Sequence, residues 1–257
     1  MAKFGQPGAH DEENMNTHSA AGTFGYSAVG MGRLGGTEYT LATVVRDVSG
    51  SVQEFVSELN KCTSAIVAAC KHSPRHENLL VRLVDFSTNV MERHGFKLLE
   101  DCDPADYLSG GKYEAVIYDQ TALYDGALDG IGAEIDFGKQ LTADFYSVNG
   151  CVYVLTDGLR NCGKVTSPSQ IKKALARVKT EEAMESLIAM LIGVNVTHPM
   201  VSSHLKELHR EGGFTEYVEV GNATEEALAK ISKFVSKSIS TQSQSLAQQQ
   251  GSQNLNI

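Results

Sequence analysis

Apolar residues gather at 39–46, 79–86, 151–155, 187–196 and 214–220, in near-continuous runs at the first and third of these. Runs that do not alternate with polar residues predict strands covered on both faces, as inside a parallel sheet. Between the first two runs, Phe55, Val56, Leu59, Ile66, Val67 and Cys70 recur at helical spacing. They predict a helix of about 20 residues with one buried face, capped by Ser51 and ending near Ser73-Pro74. Helical spacing also covers 121–146, with a break expected at Gly130 and Gly132, and 199–210 and 224–236. Ser167 followed by Pro168 marks another helix start, as N-cap and first helical residue. Val90 and residues 96–99 suggest a short hairpin at a sheet edge, and the acidic loop 100–106 leads toward a further helix start. Strands and helices alternating in this way predict an α/β fold. Its doubly wound, mostly parallel central sheet carries helices on both faces in a Rossmann-like arrangement.

Both ends lack this patterning. Residues 1–37 are Gly-rich and polar without periodicity, and read as an arm that is disordered or ordered only against something else. Residues 239–257 form an uncharged Ser/Gln-rich tail, expected to bury no core. The folded part is therefore expected over 38–238.

Composition narrows the function classes. Of 257 residues, 42% are hydrophobic and 21% charged, the balance of an ordinary globular protein. A net charge of −9, with no basic patch or stripe, argues against binding a phosphate backbone, so no nucleic-acid partner is expected. No apolar stretch is long enough to span a bilayer, and the first residues lack the basic start and apolar core of a signal peptide. A cytoplasmic location with no membrane partner is the expectation. Cys62, Cys70, Cys102, Cys151 and Cys162 form an odd set without a CxxC pair, and read as reduced thiols in a core. Cys162, near Asp157 in sequence, is the one to test for reactivity.

One stretch carries a chemistry. Asp47-Val48-Ser49-Gly50-Ser51 leaves the first predicted strand, with an acid and two hydroxyls at alternate positions. Such a set of hard oxygens suits Mg²⁺ or Mn²⁺. Asp157, in Thr156-Asp157-Gly158, stands at the end of another predicted strand. In doubly wound folds ligands lie beyond the carboxyl ends of the strands, at the switch point, so both acids fall in the expected place. Helix capping by the serines and a turn role for Asp157 are the plainer readings. Other clusters lead nowhere. His72 and His76 lie close to Cys62 and Cys70, but without a zinc spacing. His204 and His209 do not share a helix face and read as exposed. Asp101, Asp103 and Asp106 lack the glycine and distal Glu of a calcium loop. Gly30, Gly32 and Gly35 have dinucleotide-loop spacing, but precede the first long strand instead of following it. No nucleophile elbow is present.

DxSxS after a first strand, a Thr opening a later helix and a strand-terminal TDG together resemble the von Willebrand factor A family of intracellular bacterial or phage type, with its metal-ion-dependent adhesion site (MIDAS). The resemblance covers about residues 37–238. It implies that Ser49 and Ser51 offer hydroxyls to the cation. Asp47 and Asp157 supply charge, one or both through water, and Thr121 adds a third hydroxyl. One position stays open for an Asp or Glu from a protein partner. It further implies a non-enzymatic, metal-dependent protein-protein interaction module, as adaptor for an AAA+ ATPase or part of a stress-resistance system. A structural or virion-assembly subunit is the alternative, with a virion location if the chain is phage-encoded. A metal-dependent phosphohydrolase is a weaker one, because Ser49 stands where a second acid would be needed. Two departures from the pattern matter. Arg46 replaces an apolar residue before Asp47, and is expected to pair with Glu100 or Asp119 or to leave the sheet at an edge. The Thr loop lacks its usual glycines and reads Asp119-Gln120-Thr121, which restricts the backbone. That makes Asp119 an additional ligand candidate, with Asp125 a weaker one.

Overall fold

Eight strands form one sheet in the computed structural model, which describes residues 15–19, 25–73 and 75–247. The strands are β1 (Met15–Ser19), β2 (Gly25–Val29), β3 (Glu38–Asp47), β4 (Leu79–Phe86), β5 (Val90–Leu98), β6 (Ser147–Thr156), β7 (Ser186–Val194) and β8 (Glu216–Val220). Their order across the sheet is β1-β2-β5-β4-β3-β6-β7-β8. The β3–β4, β3–β6, β6–β7, β7–β8 and β2–β5 pairs are parallel, while β1–β2 and β4–β5 are antiparallel. The expected α/β class, with a mostly parallel sheet between helices, is the fold observed.

Period two along the central strands sorts the core into two layers. Leu41 and Val45 of β3 join Val84, Val152 and Leu191 under α2 (Leu123–Ala143), α3 (Pro168–Thr180) and α4 (Pro199–Gly212). Ala42 and Val44 join Leu83, Tyr153 and Met190 under α1 (Val56–Lys71) and α5 (Glu225–Ala247). The chain leaves β3 for β4 on one side and returns to β6 on the other, so the β3/β6 junction is the switch point.

Several boundaries differ from the sequence reading, each for a physical reason. The Gly-rich arm supplies β1 and β2, and Tyr26, Ala28 and Val29 are buried. These strands are five residues each and gain their order by pairing on the sheet. The parts of the arm at 1–14 and 20–24 lie outside the described residues. Because β2 adds beyond β5, the hairpin at residue 90 is not an edge. A side chain at Gly95 of β5 would run into the Ser27 carbonyl, so this glycine allows the close approach of β2. Ser51 does not cap a helix by its side chain. It lies inside a 3-10 turn, Gly50–Phe55, that precedes α1. After β5 the acidic loop forms short 3-10 turns, Leu99–Asp101 and Pro104–Tyr107, instead of opening an α-helix.

Helix α2 runs through Gly130 and Gly132 without a break. A Cβ at Gly130 would stand 2.6 Å from Val45 Cγ2. The missing side chain lets the helix sit on β3, so it serves packing, not flexibility. Helix α5 extends to Ala247, past the expected start of the tail. Ser238, Ile239, Gln242 and Ser243 are buried, held by polar contacts that hydropathy does not register. Tyr153 Oη donates to Ser238 Oγ at 2.9 Å, and Asn149 Nδ2 donates to the Gln242 carbonyl at 3.1 Å. The rest of the tail, 248–257, lies outside the described residues. The Ser167 cap is as expected, with a complete capping box closed by Gln170.

Arg46 pairs with neither Glu100 nor Asp119, and its strand is central, not at an edge. It is fully buried, with Nε 2.7 Å from Asp85 Oδ1, Nη2 3.1 Å from Oδ2, and a further bond to the Tyr113 carbonyl at 3.0 Å. This bidentate pair satisfies a charge that could not otherwise be buried. Cys62, Cys70, Cys102 and Cys151 are buried free thiols, as the core reading expects. His204 and His209 are half-buried, stacked on Tyr124 and Tyr217 respectively, and not fully exposed as the sequence suggests. Among the described residues no helix is long and apolar enough to cross a membrane.

Candidate metal site

Strand β3 ends at Asp47, and the main chain then turns away from the sheet. Val48 N–H still donates to the Phe86 carbonyl at 2.9 Å, and Ser49 is extended (φ −72°, ψ 168°) before the 3-10 turn begins. Alternate residues therefore face one small volume above the junction of β3 and β6. Asp47 Oδ1 accepts from Ser49 N at 2.9 Å, and Oδ2 accepts from Thr156 Oγ1 at 2.6 Å. Ser49 Oγ lies 3.3 Å from Ser51 Oγ, and Ser51 Oγ donates to Asp157 Oδ1 at 2.8 Å. Residues 106 positions apart are thus joined by one hydroxyl. Asp47 and Ser49 are buried, Asp157 is half-exposed and Ser51 is exposed, so the cluster opens to solvent on the Ser51 and Asp157 side.

Electrostatics set this cluster apart from the buried ion pairs nearby. Asp85 faces Arg46, and Asp129 faces Arg82. Among the described residues, neither Asp47 nor Asp157 has a basic partner. Burial pushes the Asp47 carboxyl up to about 7, and neighbouring Asp157 adds to the rise against the Ser49 and Thr156 hydrogen bonds. Asp157 is also raised by burial, opposed by its bond to Ser51. Two crowded carboxyl groups surrounded by neutral hydroxyls carry a local deficit of positive charge. No group of three or more His, Cys, Asp or Glu side chains suited to a metal occurs among the described residues. The donor set is two carboxylates with hydroxyls, all hard oxygens, which fits a small divalent cation better than a soft one.

The five principal sequence candidates do not all meet in the same way. Asp47, Ser49, Ser51 and Asp157 are linked by the hydrogen bonds above. Thr121 is buried on the adjacent loop, and that loop is stitched to the site by its main chain. Tyr118 N donates to the Val48 carbonyl at 2.8 Å, and Ala122 N donates to the Ser87 carbonyl. Asp119 is exposed, and its main chain lies against Gly50. Asp125 is no ligand candidate in this fold. Its Oδ2 accepts from Lys164 N at 2.8 Å and its Oδ1 from Val165 N at 2.6 Å, so both oxygens fasten the loop after β6.

Two participants carry little or no signal of their own in the sequence. Thr156 reads there only as part of TDG, yet its hydroxyl orients Asp47. Asn161 holds Thr121 from both sides: Thr121 N donates to Asn161 Oδ1 at 2.8 Å, and Asn161 N donates to the Thr121 carbonyl at 3.1 Å. A lone Asn in a loop gives no periodic signal, and its partner lies 40 residues away. Cys162, next in sequence, is not activated. Partial burial and Asp125 raise its thiol above the ordinary value, and its Sγ lies 3.8 Å from the Ser87 carbonyl.

No protein-family model and no curated protein matches the chain. Solved structures do share its fold. The SpaC pilus adhesin from Lactobacillus rhamnosus GG, in an open conformation, superposes with a TM-score of 0.58 at 11% identity, over 90% of this chain and 35% of that one. The PilB minor pilin from Streptococcus sanguinis gives a TM-score of 0.56 at 18% identity, over 80% of this chain and 62% of that one. Proximal thread matrix protein 1 from the mussel byssus, with a zinc-occupied MIDAS motif, gives 0.50 at 19% identity, over 78% and 46%. The chain spans less than two thirds of the length of each of these structures. What they share with it is the arrangement of a mostly parallel sheet between helices.

Proposed function

We propose that this chain is a non-catalytic, metal-dependent protein-interaction module. It binds a protein partner through an acidic side chain presented to a divalent cation. Ser49, Ser51 and Thr121 would supply hydroxyl oxygens to the cation, and Asp47 and Asp157 would supply its counter-charge. Mg²⁺ and Mn²⁺ are the ions favoured by an all-oxygen donor set. A bound cation with few anionic ligands attracts an incoming carboxylate through a charge-assisted contact. The observation that carries this reading is the chain of contacts from Asp47 through Ser49 and Ser51 to Asp157. It assembles two carboxyl groups and two hydroxyls at a solvent-facing switch point, with no basic side chain among the described residues to neutralise them. The mussel protein's zinc-occupied site on a shared fold supports the same reading. Val116 and Tyr118, exposed on the loop that runs past Gly50, add apolar surface beside the cluster for a protein partner.

Titration calorimetry with Mn²⁺ on the full chain tests the proposal. Saturable binding that disappears in Asp47→Ala, with the fold intact by circular dichroism, is the expected result. Absence of Mn²⁺ and Mg²⁺ binding at millimolar ion, or unchanged binding by Asp47→Ala, overturns it.

A further inference from the structure

We infer that Asn161 is a positioning residue for the metal site, replacing by side-chain chemistry the backbone freedom that the Thr loop lacks. The inference rests on the metal-binding reading above. It comes from a set of contacts that involve no proposed ligand side chain. Thr121 sits on a loop without glycine between residues 112 and 125, so its backbone cannot be placed by relaxed φ/ψ freedom. Something else must hold it, and the structure supplies a two-way clasp. The Asn161 side chain accepts from the Thr121 amide, and the Asn161 amide donates to the Thr121 carbonyl, so both main-chain polar groups of Thr121 are tied to one residue.

That residue lies four positions after Asp157, on the loop that leaves β6. The loop is itself fastened to the start of α2, immediately after Thr121. Asp125 accepts the amides of Lys164 and Val165, and the Arg160 guanidinium lies 5.4 Å from the centre of the Tyr124 ring. Gly163 adopts φ +109°, and a Cβ there would meet Asp125 Oδ1 at 2.9 Å, so the loop's own glycine is used to seat it on the carboxylate. The loop carrying Asp157 and the loop carrying Thr121 are therefore one mechanical unit. Asn161 is the contact between them that reaches Thr121 directly. Its action is to set where the Thr121 hydroxyl stands relative to Asp157, while Asn161 itself touches no ion.

The test is Mn²⁺ affinity of the full chain measured by titration calorimetry and by electron paramagnetic resonance of bound Mn²⁺. Asn161→Ala is expected to weaken binding about tenfold, the loss typical when a metal ligand loses its supporting partner. Because Asn161 is exposed, the variant is expected to keep its fold, which circular dichroism checks. Asn161→Leu, which has the same branching without the acceptor, provides a second measurement. Asn161→Asp retains an oxygen acceptor and is expected to bind at least as tightly as wild type. A structural role alone would act equally in any background, so the deciding readout is a double-mutant cycle. In a Thr121→Val chain, which has already lost the hydroxyl, Asn161→Ala is expected to cause no further loss. Wild-type affinity in both Asn161→Ala and Asn161→Leu, or losses that multiply in the double variant, overturns the inference and leaves the metal reading standing. A wild-type chain that binds no Mn²⁺ overturns both.

Discussion

Buried acids in this fold come in two kinds, and only one is neutralised by a base. Asp85 and Asp129 are matched by Arg46 and Arg82 across 39 and 47 residues of sequence, pairings that no local pattern reveals. Asp47 and Glu134 have hydrogen bonds instead. The motif around Asp47 is legible because its spacing is local, whereas Glu134 is not, since a Glu within a helical pattern reads as a solvated face. Its carboxylate is buried between Thr43 Oγ1 at 2.6 Å and Cys151 N at 2.9 Å, and burial raises its pKa from 4.5 to about 8. The sign follows from linkage. A carboxyl whose pKa is raised on folding contributes most below its unfolded value, and that contribution falls as pH rises through the folded one. From pH 5 to pH 8 the folded chain keeps a proton at Glu134 that the unfolded chain releases, so the wild type loses up to about 1.4 kcal/mol of stability for each tenfold fall in proton concentration. Glu134→Gln removes this cost. Urea unfolding is expected to show the variant gaining on wild type as pH rises from 5 to 8. An equal difference at both pH values would mean that Glu134 does not titrate in this window. The same linkage applies to Asp47. Its raised pKa of about 7 predicts that Mn²⁺ displaces a proton on binding. Apparent affinity should therefore climb as pH increases from 6 to 8, and a pH-independent affinity in calorimetry would contradict it.

At the scale of elements, whatever is written in apolar periodicity is readable and whatever is written in polar contacts or close approach is not. The strand at residues 79–86 is legible to the residue, because it is buried on both faces and largely apolar. Hydropathy ends helix α5 before residue 239 because its continuing buried face is Ser238, Ile239, Gln242 and Ser243. The break expected in α2 shows a subtler failure, since glycine carries opposite meanings at two sites two residues apart. At Gly130 a methyl group would meet Val45 Cγ2 at 2.6 Å and Val152 Cγ1 at 3.2 Å, whereas at Gly132 it would meet nothing within 4 Å. Replacing Gly with Ala inside a helix gains up to about 1 kcal/mol from backbone entropy. Overpacking against a central strand costs about 1–3 kcal/mol. The steric term wins at Gly130, because β3 and β6 are hydrogen-bonded on both sides and cannot recede. Chemical denaturation should find Gly132→Ala more stable by about 0.5–1 kcal/mol and Gly130→Ala less stable by about 1–2 kcal/mol. Equal effects at the two positions would refute the close-approach account of Gly130.

Across the whole molecule, the cluster of acids and hydroxyls at Asp47 and the sheet extension sit on different sides of the centre. The cluster stands over β3 and β6, while β1 and β2 lie beyond β5 and β4. Their contributions should separate. Read from sequence, the first 37 residues are an arm that is disordered or ordered only against something else. In the structure Tyr26 packs edge-on against Phe96 and near Phe137 with ring centres 6.0 Å apart, and Ser27 N donates to Glu92 Oε1 at 3.0 Å. Glu92 is also the partner of the buried Arg82, at 2.7 Å. Removing residues 1–29 uncovers Phe96 and opens the β5 edge. It also leaves Glu92 without the β2 contact that holds it against Arg82. Burial of one large side chain and a hydrogen bond to a charged group together amount to about 3 kcal/mol or more. For a chain of this size that corresponds to a fall of about 10 °C in Tm. The freed β5 edge offers unpaired main-chain groups to a second copy, so light scattering should record self-association. Mn²⁺ affinity should remain within about twofold of the full chain under conditions where both are folded, because β5 and β4 still separate the cut from β3. A truncated chain with an unchanged Tm would return residues 1–29 to the status of an arm. A stable truncated chain that has lost Mn²⁺ binding would show that the extension supports the site itself.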